Sequence, residues 1–146
     1  AAHAARHEPR LVRADAAHFV RHHTARFDVL LVDGFDSDGQ PARLCSQRFY
    51  DDCHDLLDAD GIMVANLHLG HPRYELLVDR IRRSFGAAVL VVDDGELSNS
   101  IVFAAKGAAF GAARRGLVRR PKHLDRVAAD QLLASFALVS SALKAG

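Results

Sequence analysis

Short apolar runs alternate with segments of helical periodicity along this chain, and that alternation constrains the fold more than any other feature. Residues 27–32, FDVLLV, are nearly all apolar, as in strands that are covered on both faces. Ser46 can cap a helix that follows this run, and a second apolar run spans residues 62–67. Parallel strands require such a crossover helix. We therefore predict an α/β layer structure with a mostly parallel sheet.

The rest of the chain extends the same pattern. The predicted elements, in order, are a strand at 10–13, a helix at 15–25, the strand at 27–32, a helix from 46, a turn at Asp60-Gly61 before the strand at 62–67, a helix from His71-Pro72 to Gly86, strands at 87–92 and 100–105, and a helix at 124–143. The loop between the last two strands is short and contains Asp93-Asp94-Gly95-Glu96, which predicts an antiparallel hairpin.

Composition excludes several classes of protein. With 146 residues, 49% hydrophobic and 25% charged, the chain is typical of a soluble globular domain. Nineteen basic and eighteen acidic residues give a net charge of +1, so we expect no nucleic-acid partner. The longest uncharged segment, 131–143, is shorter than the ~20 residues that cross a bilayer, so we expect no membrane span and a cytoplasmic location.

Cysteine and histidine spacing gives no indication of a metal. Cys45 and Cys53 lack the C-x-x-C pattern and are interpreted as reduced thiols. His18 and His22 share a predicted helix face, but no H-E-x-x-H motif and no third ligand accompany them. The sequence therefore predicts no metal site.

The strongest functional signal is a group of acids directly after the strand at 27–32. Asp33, Asp36 and Asp38 follow one another closely, with Gly34 beside the first. Ligands of open parallel sheets bind beyond the carboxyl ends of the strands. Because clustered carboxylates repel one another, a compensating cation or a set of helix-start amides is expected, and an amine substrate would supply the cation. The alternative is that Asp33 is only a capping or turn acid, and Asp38 is interpreted as a turn residue.

These residues belong to a longer run, FDVLLVDGFDSDGQPARLCSQRFYDDCHDLLDADGIMVANL. It resembles the spermidine synthase family, the polyamine aminopropyltransferases, in its Asp-x-x-Asp loop, Pro-Ala, Phe-Tyr and Leu-x-x-Asp-Gly turn. The likeness extends over about residues 10–106. It is strongest to the short bacterial spermidine-synthase-like proteins, in which the next strand ends in Asn, as at Asn66, and a strand like 99–104 closes the sheet.

The resemblance implies a Rossmann-like class I methyltransferase fold, here partial, with a C-terminal antiparallel hairpin. It implies transfer of an aminopropyl group from decarboxylated S-adenosylmethionine, a co-substrate and not a tightly bound cofactor, to a polyamine such as putrescine. By matched motif, Asp33 is the catalytic carboxylate, and Asp36 and Asn66 bind the substrate. The family's habit also implies a homodimer or tetramer.

The same resemblance assigns the nucleoside contacts. Asp15 falls beside the expected adenine and would accept a hydrogen bond from its amino group, with Ala16 and Gly34 as further cofactor-binding residues. Without the resemblance, Asp15 is interpreted as the N-cap of its helix.

Two departures from the family leave other functions open. Ser37 stands where the acidic loop commonly has Pro, and Asn66 stands where authentic spermidine synthases commonly have Gln. The acceptor amine is therefore not fixed. The alternatives are a non-catalytic nucleoside-binding or dimerisation scaffold on the same fold, and an S-adenosylmethionine-dependent methyltransferase.

No glycine-rich loop precedes the acidic cluster, since the first glycine is Gly34. In the family strand order 3-2-1-4-5-7-6, the first two strands would lie between those at 10–13 and 27–32. We expect a longer protein that supplies them, the alternative being a genuine fragment. We divide the chain into residues 1–107, the C-terminal part of the Rossmann-like domain, a linker at 108–121, and a C-terminal helix within 122–146.

Overall fold

The computed structural model describes residues 9–34, 39–93, 98–111, 122 and 124–145. Its helices are α1 (Ala16–His22), α2 (Gln47–Leu56), α3 (Tyr74–Phe85) and α4 (Arg126–Ala145), with a 3-10 helix at Ala42–Cys45. Its strands are β1 (Phe27–Val32), β2 (Leu57–His68), β3 (Val89–Asp93) and β4 (Asn99–Ala105). The predicted alternation of strands and helices is confirmed.

The four strands form one mixed sheet in the order β1-β2-β4-β3. β1 and β2 are parallel, whereas β4 is antiparallel to both β2 and β3. Three strands therefore run in one direction and β4 runs against them. This confirms the α/β class and the C-terminal hairpin, and the order corresponds to the 4-5-7-6 part of the expected sheet.

The core lies between one face of this sheet and the helices α1, α2 and α3, which contact one another in sequence. Alternate residues of β2 and β4 point into it, because strand side chains alternate between faces. The core residues of these two strands are Met63, Ala65, Leu67, Val102 and Ala104, which are all fully buried. α3 adds Leu77, Val78, Ile81 and Phe85 at helical spacing, each stabilising the fold by about 1.5–3 kcal/mol.

Local capping signals set the ends of two helices as the sequence predicts. The side chain of Ser46 accepts a hydrogen bond from the backbone N–H of Phe49 at 3.1 Å, which begins α2. Gly86 ends α3 with φ +66°, a conformation that favours glycine. Ser46 thus fixes where α2 begins, and Gly86 fixes where α3 ends before β3.

Two predictions near the start of the chain are wrong. Residues 10–13 form no strand, and Leu11 is 98% exposed, because no neighbouring strand pairs with this segment in the described part of the chain. The helix predicted at 15–25 ends at His22, since the last capping bond runs from His23 N–H to the carbonyl of Phe19. A strand requires a partner that the local sequence cannot supply.

The predicted turn at Asp60-Gly61 is also wrong, since both residues lie inside β2. Phe27 of β1 pairs with Leu57 and Val29 pairs with Ile62, so β2 bulges between these two pairs. The carbonyl of Gly61 accepts a hydrogen bond from Lys106 N–H, and this tertiary pairing keeps the residues extended.

The C-terminal helix packs less than its amphipathic pattern predicts. Ala129 is buried and α4 contacts β3, but Val127 is 68% exposed. By length and composition alone, residues Arg126–Lys144 could cross a membrane, with a mean hydropathy of 1.2. Of this stretch, 6% is buried, and helices of soluble proteins meet the same criterion. The predicted linker at 108–121 lies mostly outside the described residues.

Candidate functional site

The candidate site is built where β1 and β2 end side by side. Val32 pairs with Ala65, so the residues that follow each of them, Asp33 and Asn66, are neighbours at the carboxyl end of the sheet. The side-chain amide of Asn66 donates a hydrogen bond to Asp33 Oδ1 at 3.2 Å. The structure thus brings together two of the residues that the sequence assigns to substrate chemistry.

Asn66 presents a second polar atom with no partner. Its side-chain oxygen is buried and accepts no hydrogen bond within the described part of the chain. Leaving such an atom unsatisfied costs about 1–3 kcal/mol. Asn66 therefore leaves one acceptor unsatisfied beside the exposed carboxylate of Asp33.

A groove of about 370 Å³ adjoins Asp33 on the side of α1. Its lining is mostly apolar and includes Asp33, Gly34 and Ala16, three of the six residues assigned to the site. A side chain at Gly34 would approach Leu44 Cδ1 to 2.7 Å, so glycine allows the chain to leave β1 close to the 3-10 helix. The groove gives these residues one common surface.

Asp15 lies at the start of α1 but does not line that groove. One of its oxygens accepts a hydrogen bond from His18 N–H at 2.9 Å, and the other pairs with Arg43 at 3.1 Å. The backbone hydrogen bond from His18 is the main reason that the pKa of Asp15 is lowered. The interpretation of Asp15 as an N-cap is confirmed.

The second acid of the cluster, Asp36, lies in the segment 35–38, outside the described residues, as does Asp38. The next described residue is Gly39, whose φ of +106° favours glycine. A Cβ at Gly39 would lie 4.0 Å from the ring of His71, so the loops after β1 and β2 meet here. His71 itself is satisfied, since its Nδ1 accepts a hydrogen bond from Arg73 N–H.

Gln40 is a residue that the sequence did not single out. It is buried, and neither polar atom of its side chain has a partner among the described residues. Nothing in the local sequence indicates that Gln40 is buried, because its burial depends on packing near Cys45. The thiol of Cys45 donates a hydrogen bond to the backbone carbonyl of Gln40. No group of three metal-binding side chains occurs in the described ranges.

Comparison with known proteins identifies the family of the chain. A family model described as the spermine/spermidine synthase domain matches residues 3–84. Polyamine aminopropyltransferases of Neisseria meningitidis serogroup A and Chromobacterium violaceum are 33% and 31% identical to the chain over 94 residues. Those residues are 64% of this chain and 36% of each relative.

Solved structures of the same kind share the fold. A spermidine synthase in complex with the transition state analogue AdoDATO superposes with a TM-score of 0.59 at 26% identity, and the spermidine synthase of Thermotoga maritima with 0.52 at 26%. Each match covers 92% of this chain and 50% of the solved chain. Since the family model matches more than half of its residues, the chain belongs to the spermine/spermidine synthase family.

Proposed function

We propose that the protein containing this chain transfers an aminopropyl group from decarboxylated S-adenosylmethionine to a polyamine such as putrescine. The observation that carries the proposal is the exposed carboxylate of Asp33 at the end of β1, oriented by the side-chain amide of Asn66. This arrangement occurs in a chain of the spermine/spermidine synthase family, at the position where open α/β sheets bind ligands.

Asp33 is proposed to accept the proton of the attacking amine. An ammonium has no lone pair, so the amine must be deprotonated before its nitrogen bonds to the carbon beside the sulfonium. As the carbon–nitrogen bond forms, the carbon–sulfur bond breaks, its electrons return to sulfur, and methylthioadenosine leaves. Asn66 occupies Oδ1 of Asp33, and no other described donor reaches Oδ2, which can therefore receive the proton.

The amine is proposed to be held by polar groups around Asp33. The unpaired oxygen of Asn66 can accept one of its N–H groups, and Asp36 is proposed to anchor the ammonium at the other end. Two acceptors fix the direction of the attacking nitrogen, which contributes to the rate through orientation.

The nucleoside is proposed to occupy the groove lined by Ala16 and Gly34, whose apolar walls suit a thioether and a purine ring. Asp15 does not line this groove, but it directly precedes Ala16, which does, and it is proposed to contact the adenine amino group through the oxygen that pairs with Arg43. The Arg43 side chain is 80% exposed, and an exposed ion pair is weak enough to be exchanged for a ligand. The whole protein is proposed to work in the cytoplasm as a homodimer or tetramer.

The test is product analysis with the complete protein, incubated with decarboxylated S-adenosylmethionine and a series of diamines. We expect methylthioadenosine and the extended polyamine, both measured by mass spectrometry. A parallel reaction with S-adenosylmethionine would release S-adenosylhomocysteine if the protein were a methyltransferase. Absence of both products in the properly folded protein would favour the non-catalytic scaffold.

A further inference from the structure

α4 is the least buried of the described helices. Ala129 is the single buried residue of α4 among those whose side chains the structure describes, whereas α2 and α3 bury four residues each. The main contact of α4 is with β3, the strand at one edge of the sheet. Most of the surface of this helix is therefore available to a partner.

The exposed side of α4 is apolar. Val127 and Leu138 are 68% and 52% exposed. Ala134, also exposed, lies on the same side, because 3.6 residues per turn bring positions seven and eleven residues apart into line. Residues 131–143 contain no charged side chain, whereas the outer face of a surface helix usually carries charges. An exposed apolar face of this kind marks an interaction surface.

Positive charge is concentrated directly before this helix. In the sequence, residues 114–126 contain one acid, Asp125, and six basic residues, which are Arg114, Arg115, Arg119, Arg120, Lys122 and Arg126. This segment thus carries +5, whereas the whole chain carries +1, so the remaining residues together carry −4. Lys122 and Arg126, both within the described residues, are exposed. The charge beside α4 therefore complements an anionic partner.

We propose that α4 docks onto the surface of an anionic lipid bilayer. Val127 and Leu138 lie at the boundary between head groups and acyl chains, and Lys122 and Arg126 contact the anionic head groups. A helix with an apolar face and a neighbouring basic cluster binds in this way, because burial of apolar area and attraction to anionic lipids add. The cytoplasmic leaflet is negatively charged, which fits the proposed cytoplasmic location.

The helix lies on the bilayer and does not cross it. The uncharged residues 131–143 are fewer than the ~20 that a span requires, and Asp130 and Lys144 flank them. Val127 and Leu138 are two and nine residues from the buried Ala129, which places them on the opposite side of the helix. α4 can therefore stay packed on β3 while its outer side meets lipid.

Two other partners explain only half of these features. A nucleic acid would account for the cations, but its phosphates give the exposed Val127 and Leu138 nothing to bury against. A second copy of α4 would cover the apolar side, but it offers only Asp125 and Asp130 to the six cations. An anionic lipid surface accommodates both the charge and the apolar face.

The test is cosedimentation of the complete protein with phosphatidylcholine vesicles, with and without about one-third phosphatidylserine. We expect binding to the anionic vesicles that weakens as salt is added, and at least about tenfold weaker binding to phosphatidylcholine alone. Leu138→Gln should lower the partition coefficient about tenfold and Lys122→Gln about fivefold. The matched controls are Leu76→Gln and Arg82→Gln, at exposed positions of α3, and both should bind as the unmodified protein does.

Because the substituted side chains are exposed, circular dichroism should show unchanged folding in all four variants. Equal binding to both kinds of vesicle, or binding to neither, would overturn the proposal. So would binding to a short DNA duplex without binding to vesicles, or a dimer that Leu138→Gln dissociates in a protein that ignores lipid. Asp33→Asn should bind vesicles normally, so the failure of lipid docking and the failure of the proposed transfer are distinguishable.

Discussion

Lys106 holds together the end of α2 and the start of β2, and its removal gives a defined loss of stability. Its ammonium donates to the backbone carbonyls of His54 and Leu57, each at 3.1 Å. These carbonyls lie at the carboxyl end of α2, where partial negative charge accumulates and a cation is stabilising. Lys106→Met keeps most of the side-chain stem and removes both hydrogen bonds.

The expected loss follows from these two contacts. Hydrogen bonds to a charged group contribute about 1.5–3 kcal/mol each when buried, but Lys106 is only part-buried, so water replaces a share of both. Ordering the lysine side chain also costs rotamer entropy, which offsets part of the gain from the two hydrogen bonds. We therefore expect the free energy of unfolding to fall by about 1–2 kcal/mol, with the Tm lower by roughly 2–8 °C.

Urea denaturation followed by circular dichroism measures this change, with Lys144→Met as the control. Lys144 is exposed in the last turn of α4, so its removal should change the free energy of unfolding by less than about 0.5 kcal/mol. Equal effects of the two substitutions would refute the assignment of Lys106 as a stabilising contact at the end of α2.

Three other changes test separate parts of the structure. Gly107→Ala should destabilise the protein by about 2 kcal/mol or more in urea denaturation, because φ is +71° and an added methyl would collide with the carbonyl oxygen of Ala59. Asp15→Ala should remove the contribution that this carboxylate makes to stability at neutral pH. That contribution is lost as pH falls through the lowered pKa of Asp15, below pH ~4, and thermal melts across pH measure it. Asn66→Leu should not lower the Tm, because it removes an unsatisfied buried oxygen along with the hydrogen bond to Asp33, but it should lower kcat of the proposed transfer because Asp33 loses its donor.

Elements with local signals could be predicted from the sequence. The caps at Ser46 and Gly86 involve the next turn of the same helix, so a short segment carries all the information. The strand predicted at 10–13 failed because strand formation depends on a partner elsewhere. The turn predicted at Asp60-Gly61 is wrong for a similar reason. The hydrogen bond from Lys106, directly after β4, to the Gly61 carbonyl holds these residues extended.

The site was only partly predictable. That Asp33 lies at a strand end follows from the apolar run before it, and its contact with Asn66 follows from the parallel pairing of two such runs. The burial of Gln40 and the pairing of Asp15 with Arg43 depend on how the 3-10 helix packs, and no spacing rule in the sequence encodes it. The family resemblance gave the proposed roles of these residues, and the structure shows which of them are in contact.

Asp33 is proposed to accept the proton of the attacking amine. The most direct measurement is kcat of aminopropyl transfer by the complete protein with Asp33→Asn, against Asp28→Asn, an exposed acid on the same strand that does not line the groove. We expect Asp33→Asn to lower kcat by roughly a hundredfold or more at unchanged Tm, and Asp28→Asn to retain full activity. Full turnover by Asp33→Asn would contradict it.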